Sequence, residues 1–273
     1  MPTTYAHYKF GKDVIGALPK QLQRTIKNNR ELYDIGLHGP DIFFYYKVWS
    51  QNHVNMTGYE LHDQPAQAFF LQSAEIIRRS NNDEAAQAYI YGFICHFALD
   101  SECHKYVEKM IHVSGITHSE IEMEFDRMLL SEDQIEPVSY LATSHIKPTM
   151  KNASVIASFF EEVTTQEVKK ALSSMISVHK LLLAPTPAKR NFLFGAMRLT
   201  GQYKSKHGMV MSKTPNPACQ DYCRLLKKLY QGAVPLAAGL ILKYQKLLAG
   251  TGELPSRFKE TFGAGEKWQD LPL

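Results

Sequence analysis

Cysteine is scarce: there are four in 273 residues and no CxxC pair, which excludes a disulfide framework and a zinc ribbon. Cys95 and Cys103 read as small buried residues, and Cys219 and Cys223 as neighbours one helical turn apart. No apolar run reaches the roughly 20 residues of a membrane-spanning helix; the longest, Ala233–Leu242, is interrupted by Pro235. The N-terminus lacks the basic head and apolar core of a secretory leader, so a cytoplasmic protein is expected. Neither charge sign dominates. The 31 Lys and Arg stand against 27 Asp and Glu, and the basic residues read as dispersed rather than clustered, which leaves nucleic-acid or membrane binding without a charge signature. Alternating β-branched runs, internal repeats and low-complexity tracts are also missing. What remains is an ordinary globular composition, 44% hydrophobic and 21% charged, long enough for a sizeable core.

Histidine is abundant and unevenly placed. Eight of eleven fall in residues 1–118 and three in the remaining 155, which puts the chemistry in the N-terminal half. The stretch 89–122 carries most of it. On a helix, His96, Asp100 and His104 fall along one face at successive turns, and fourteen residues on, His118 and Glu122 repeat the i, i+4 spacing. His96 and His104 would stand about 12 Å apart along the axis, so one face would serve more than one ion. The flanks Tyr89, Ile90, Phe93, Ile94, Phe97 and Ala98 are apolar, and a buried imidazole or carboxylate needs a partner. A single His-x-x-x-Asp is usually an incidental pair; two helical pairs with a bridging residue point to metal.

Periodicity through Val14, Ile15, Leu18, Leu22 and Ile26 predicts helix over 10–33, broken at Pro19. Gly36, Gly39 and Pro40 mark a turn that brings in Asp41, a residue whose simplest role is a helix N-cap. Residues 50–65 read as a loop with His62 just ahead of the next helix. Asn81, Asn82 and Asp83 offer a cap for the long helix, and Thr117-His118-Ser119-Glu120 reads as a capping box. Segments 152–183 and 218–249 are helical in spacing, with loops at 184–190 and 213–218. The whole reads as all-α, one bundle-like domain over residues 1–273.

Taken in order, Tyr5, His7 and Gly11, the Gly-Pro-Asp-Ile of 39–42, Gly58 and His62, the pair His96 and Asp100, then His104, and the pair His118 and Glu122 resemble the zinc-dependent phospholipase C family, related to three-zinc nucleases of the same all-α design. The resemblance implies zinc at up to three positions: Asp41, His62, His96 and Asp100 at one; His104, His118 and Glu122 at a second; His7 at a third, with Asp100 bridging to the first. These donor types suit zinc. It further implies hydrolysis of a phosphodiester, a phospholipid or a nucleotide, by a hydroxide shared between two cations, with Asp41 as base or orienting group. Exported members also use the amine and carbonyl of an N-terminal tryptophan. That residue is missing here; Pro2, exposed by loss of Met1, is only a minor candidate to replace it, so the third position is the weakest and a two-zinc enzyme stays open beside a three-zinc one.

Three other readings compete. Phe43, Phe44, Tyr45 and Tyr46 beside Asp41 are first of all core, and otherwise cover a cationic headgroup or stack a nucleobase. His62-Asp63 is the seed of an HD-type phosphohydrolase, although Asp63 has a simpler role capping the helix that opens at Pro65. The histidines also fit a non-catalytic, zinc-stabilised helical scaffold. Histidines 38, 53, 112, 145, 179 and 207 read as loop or surface residues.

Overall fold

The computed structural model describes residues 4–81, 83–266 and 268–273. Among them there is no β-strand, and the fold is all-α, as expected. Twelve α-helices follow in order: α1 (Thr4–Ala17), α2 (Lys20–Asn28), α3 (Arg30–Gly36), α4 (His53–Asp63), α5 (Gln67–Arg79), α6 (Glu84–Ser114), α7 (His118–Glu132), α8 (Met150–Ala157), α9 (Thr165–Leu182), α10 (Pro187–Leu199), α11 (Tyr203–Lys206) and α12 (Gln220–Leu248). A 3₁₀ helix, Gly39–Tyr45, links α3 to α4.

α6 is the axis of the molecule. At its centre Tyr89 to Asp100 is buried without interruption, because α1, α3, α5, α8 and α12 all pack on it. Its N-cap is Asp83, whose carboxylate accepts the Ala85 N–H at 3.0 Å; Asn82 lies outside the described residues. Its end is set by Gly115 in the left-handed region, φ 71°. The closest crossing is with α3. A Cβ on Gly36 would lie 2.2 Å from the Tyr89 carbonyl, and one on Gly92 2.2 Å from that of Tyr33. Only two glycines let these backbones touch. That contact carries the Gly39–Tyr45 turn onto the polar face of α6.

Several local expectations need correction. Residues 53–63 are helix, not loop: Asn52 and Asn55 form a reciprocal capping box, and the short, polar segment lacks the apolar period that would reveal it. His62 therefore sits in the last turn of α4. Asp63 is the final residue of that helix and exposed, while the N-cap position of α5 is Ala66, with no side-chain cap. At α7, Thr117 accepts the Glu120 N–H at 3.3 Å, but the return half of the box is missing because the Glu120 carboxylate faces Asn216 and His207. α10 opens at Pro187 under a Thr186 cap, inside what reads as a loop. By length and composition Pro217–Leu248 is able to cross a membrane, contrary to the reading of its apolar run alone; here it buries Leu226, Tyr230, Ala233, Ala237 and Ile241 and packs on α6.

The basic residues are dispersed, but the acidic ones are not. From Val168 to Gln220 there is no aspartate or glutamate, against nine lysines and arginines. α10 and α11 lie within this stretch.

Candidate metal centre

The eight residues singled out in the sequence converge from five elements. α1 brings His7, the 3₁₀ turn Asp41, α4 His62, α6 His96, Asp100 and His104, and α7 His118 and Glu122. Their ligand-type atoms fall into three groups, each within 4.8 Å: His7, His96 and Asp100; Asp41, His62 and His96; and His104, His118 and Glu122. Asp63 is in none of them, so the His62-Asp63 pair of the HD reading does not form a site. His118 and Glu122, which that reading leaves idle, close the third group.

Asp100 divides its two oxygens. Oδ1 stands 3.0 Å from His7 Nε2, and Oδ2 stands 3.0 Å from His96 Nε2, 3.6 Å from His104 Nδ1 and 3.8 Å from His62 Nε2. His96 likewise belongs to two groups, its Nε2 lying 3.9 Å from Asp41 Oδ2. On the far side Glu122 Oε1 lies 2.9 Å from His118 Nε2 and 3.4 Å from His104 Nε2.

Three of the imidazoles are held by the backbone. His62 Nδ1 donates to the Gly58 carbonyl at 2.9 Å, His96 Nδ1 to that of Leu37 at 3.2 Å and His104 Nδ1 to that of Phe262 at 2.7 Å. With the proton fixed on Nδ1, each Nε2 turns inward with its lone pair available, the arrangement metal-binding histidines use. Gly39, at φ 47°, makes room for this. A Cβ there would fall 2.2 Å from the His96 ring, so the backbone can lie flat over the imidazole and set Asp41 beside it.

The inward atoms have no hydrogen-bond partner. Both oxygens of Asp41, His96 Nε2 and Asp100 Oδ2 are buried and unpaired, although they and His62 Nε2 lie within 3.0–3.9 Å of one another; on the outer sides His7 Nδ1 and Glu122 Oε2 are unpaired as well. They are close but aimed past each other. Buried ionisable groups in that state cost several kcal/mol each unless a cation meets them, and convergence on common points is what a metal requires. Asp41 is thus no helix cap: its carboxylate accepts no backbone N–H.

The electrostatics carry the same imprint. Burial works to lower the pKa of His7, His62 and His104, and the carboxylates beside them reverse it: Asp100 at His7, Asp41 at His62, Asp100 and Glu122 at His104, which rises to about 10. Burial works to raise Asp100 and Glu122, and the surrounding imidazoles hold both well below the carboxylate range. The carboxylate field is strong enough to hold protons on buried imidazoles; a bound cation takes their place and releases them.

α7 also anchors α1. Asp126, one turn past Glu122, accepts the N–H of Tyr5 at 3.0 Å and of Ala6 at 2.8 Å, capping the first turn of the helix that bears His7. Burial pushes its carboxyl up to about 7. An apolar cleft opens beside Glu122 and Asp126, lined by Leu130, Leu141, Leu183, Met123, Met209 and Met211 with His179 at its wall. Pro2 lies outside the described residues.

Three histidines read as loop or surface have partners that reading does not give them: His38 and His145 do lie in turns, and His179 lies in α9. His38 is buried and its Nε2 lies 2.7 Å from His145 Nε2, with Tyr8 stacked on His145 at 4.0 Å. Burial keeps both neutral, holding His38 well below its usual range and His145 at about 3. His179 lies 3.0 Å from the Tyr45 hydroxyl and burial lowers it to about 4. No local spacing announces these partners, which are 107 and 134 residues apart. His207 is half-buried and pairs with Glu120 at 3.3 Å; His53 and His112 are exposed as expected. Of the aromatics beside Asp41, Phe43, Tyr45 and Tyr46 are core, while Phe44 packs between Tyr59 and His62.

A helical protein whose buried, unpaired donors and acceptors converge in three groups is a candidate multinuclear metal hydrolase. The family model of zinc-dependent phospholipase C matches residues 6–175, and the chain belongs to that family. No curated protein and no solved structure matches it. Zinc dependence and a hydrolytic, phospholipase-type activity are therefore family properties, and the donor set here suits zinc.

Proposed function

We propose that this protein is a zinc-dependent phosphodiester hydrolase acting on a phospholipid between glycerol and phosphate, with zinc held by His7, Asp41, His62, His96, Asp100, His104, His118 and Glu122. The observation that carries the reading is the set of buried, unpaired atoms aimed at common points. In this assignment Asp100 and His96 link the first two groups, and His104, His118 and Glu122 form an open three-residue set; structural zinc sites are closed by four protein ligands, which argues against a scaffold.

Zinc, when bound, supplies Lewis acidity at phosphoryl oxygens and a water acidified toward neutral pH. The chain supplies the rest. Asp41, whose carboxylate accepts no backbone N–H and stands 3.1 Å from His62 Nε2 through Oδ1, orients the attacking water and accepts its proton at an oxygen, while the Nδ1 bonds of His62, His96 and His104 keep the ligand rings from turning. Asp126 keeps α1 in register, so that His7 stays opposite Asp100. The apolar walls of the cleft beside Glu122 exclude water and suit the acyl-bearing part of a lipid better than a nucleotide. The test is hydrolysis of phosphatidylcholine, bis-p-nitrophenyl phosphate and single-stranded nucleic acid by zinc-loaded protein. Turnover of the first two and not the third is expected; turnover of nucleic acid alone would move the assignment to a nuclease, and turnover of none would defeat it.

A further inference from the structure

The most one-sided part of the chain lies almost wholly beyond the family match. The 53 residues from Val168 to Gln220 hold nine basic and no acidic residues, where the average acidic content would place about five. α10 and α11 project from this stretch and rest on a small cluster of their own, Ala184, Leu193 and Val210. The opposite side of α10 is apolar and open. Phe192 is 72% exposed and Leu199 91%, and at i, i+7 they share one stripe. Leu181 adds a third exposed apolar side chain. Lys204 and Lys206, on the following helix α11, are exposed, and Arg198 lies 4.3 Å over the Tyr203 ring.

An exposed aromatic and an exposed leucine on a basic, acid-free helix fit a particular surface. Soluble proteins rarely leave large apolar side chains this open on one stripe, and interfacial helices combine such a face with lysine and arginine. We propose that α10 and α11 form a docking element for an anionic bilayer, with Phe192 and Leu199 entering the headgroup region and Lys204 and Lys206 meeting lipid phosphates. A nucleic acid would also answer the charge, but Leu199 offers no ring on which a base can stack. The position is consistent with use. Leu183, Met209 and Met211, at the two ends of the projection, line the cleft beside Glu122, and Gly208 is packed so closely on α7 that a Cβ would lie 2.8 Å from the Glu120 nitrogen.

The test needs no turnover and is independent of the proposed reaction. Flotation of the full-length protein with phosphatidylcholine vesicles, with and without phosphatidylserine, should show binding that requires the anionic lipid and is lost at high salt. F192S/L199S and K204E/K206E should each weaken it about tenfold or more while circular dichroism and Tm stay at wild-type values, since all four side chains are exposed. Absence of binding to either vesicle, equal binding to both, or binding unchanged by both variants would overturn the proposal. So would binding of single-stranded RNA by wild type, lost in K204E/K206E, without vesicle binding.

Discussion

Two regions of this molecule handle charge in opposite ways. Around α6, eight ionisable side chains of both signs crowd together, most of them buried, and neighbouring charge shifts the pKa of His7, His62, Asp100, His104 and Glu122. Across α10 and α11, charge of one sign only is left on the surface beside exposed apolar side chains. Buried and balanced charge at converging points is a demand for a cation; exposed and unbalanced charge is a demand for an anionic surface. The first lies inside the family match and the second almost wholly outside it, so the chemistry and its delivery are separable by mutation.

The largest effects should come from the balanced region. Replacing Asp100 with Ala removes the group facing four histidines and should lower zinc affinity by more than the roughly 10–100-fold that loss of a supporting residue costs, read as metal retained after dialysis, with hydrolysis falling in step. Asp41→Asn keeps an oxygen ligand but not the base. It should retain zinc and lose about 10²–10⁴ in kcat, a split between content and turnover that would fail if Asp41 were only a ligand. Stripping zinc with a chelator should lower Tm by about 10 °C for each site whose Kd lies about a thousandfold below the free zinc level.

Smaller effects sharpen the comparison. Asp126→Ala leaves two N–H donors of α1 unpaired and should cost about 1–3 kcal/mol; a chelator competition should show weaker binding at the His7 group alone, whereas a purely structural role would lower Tm and leave metal content unchanged. The smallest effect is one of pH. His179, held at about 4 in the fold, takes a proton near 6.5 once unfolded. Below pH 6.5 the unfolded chain therefore binds more protons, and stability is lost as pH falls toward about 4. In metal-free protein, His179→Gln should show a shallower fall of Tm over that window than wild type.

How much of this the sequence disclosed follows from the range of the interactions. His96, Asp100 and His104, or His118 and Glu122, are legible because helical spacing is local, and Pro19 and Gly115 punctuate the chain where they stand. α4 escaped because its stability rests on an Asn52–Asn55 cap and packing on the 3₁₀ turn rather than on an apolar period. The His104–Phe262 bond spans 158 residues and the Asp126 cap on Ala6 spans 120, distances over which no spacing rule operates. The acid-free stretch was legible but hidden, since dispersed basic residues form no run and only the missing acids reveal it.

The central claim is that the unpaired interior atoms are zinc ligands. Elemental analysis of protein purified without added metal tests it most directly. The account predicts two to three zinc ions per chain, matching the three groups, and a loss of about one in Glu122→Ala. A chain that carries no metal and takes up none when zinc is added would contradict it.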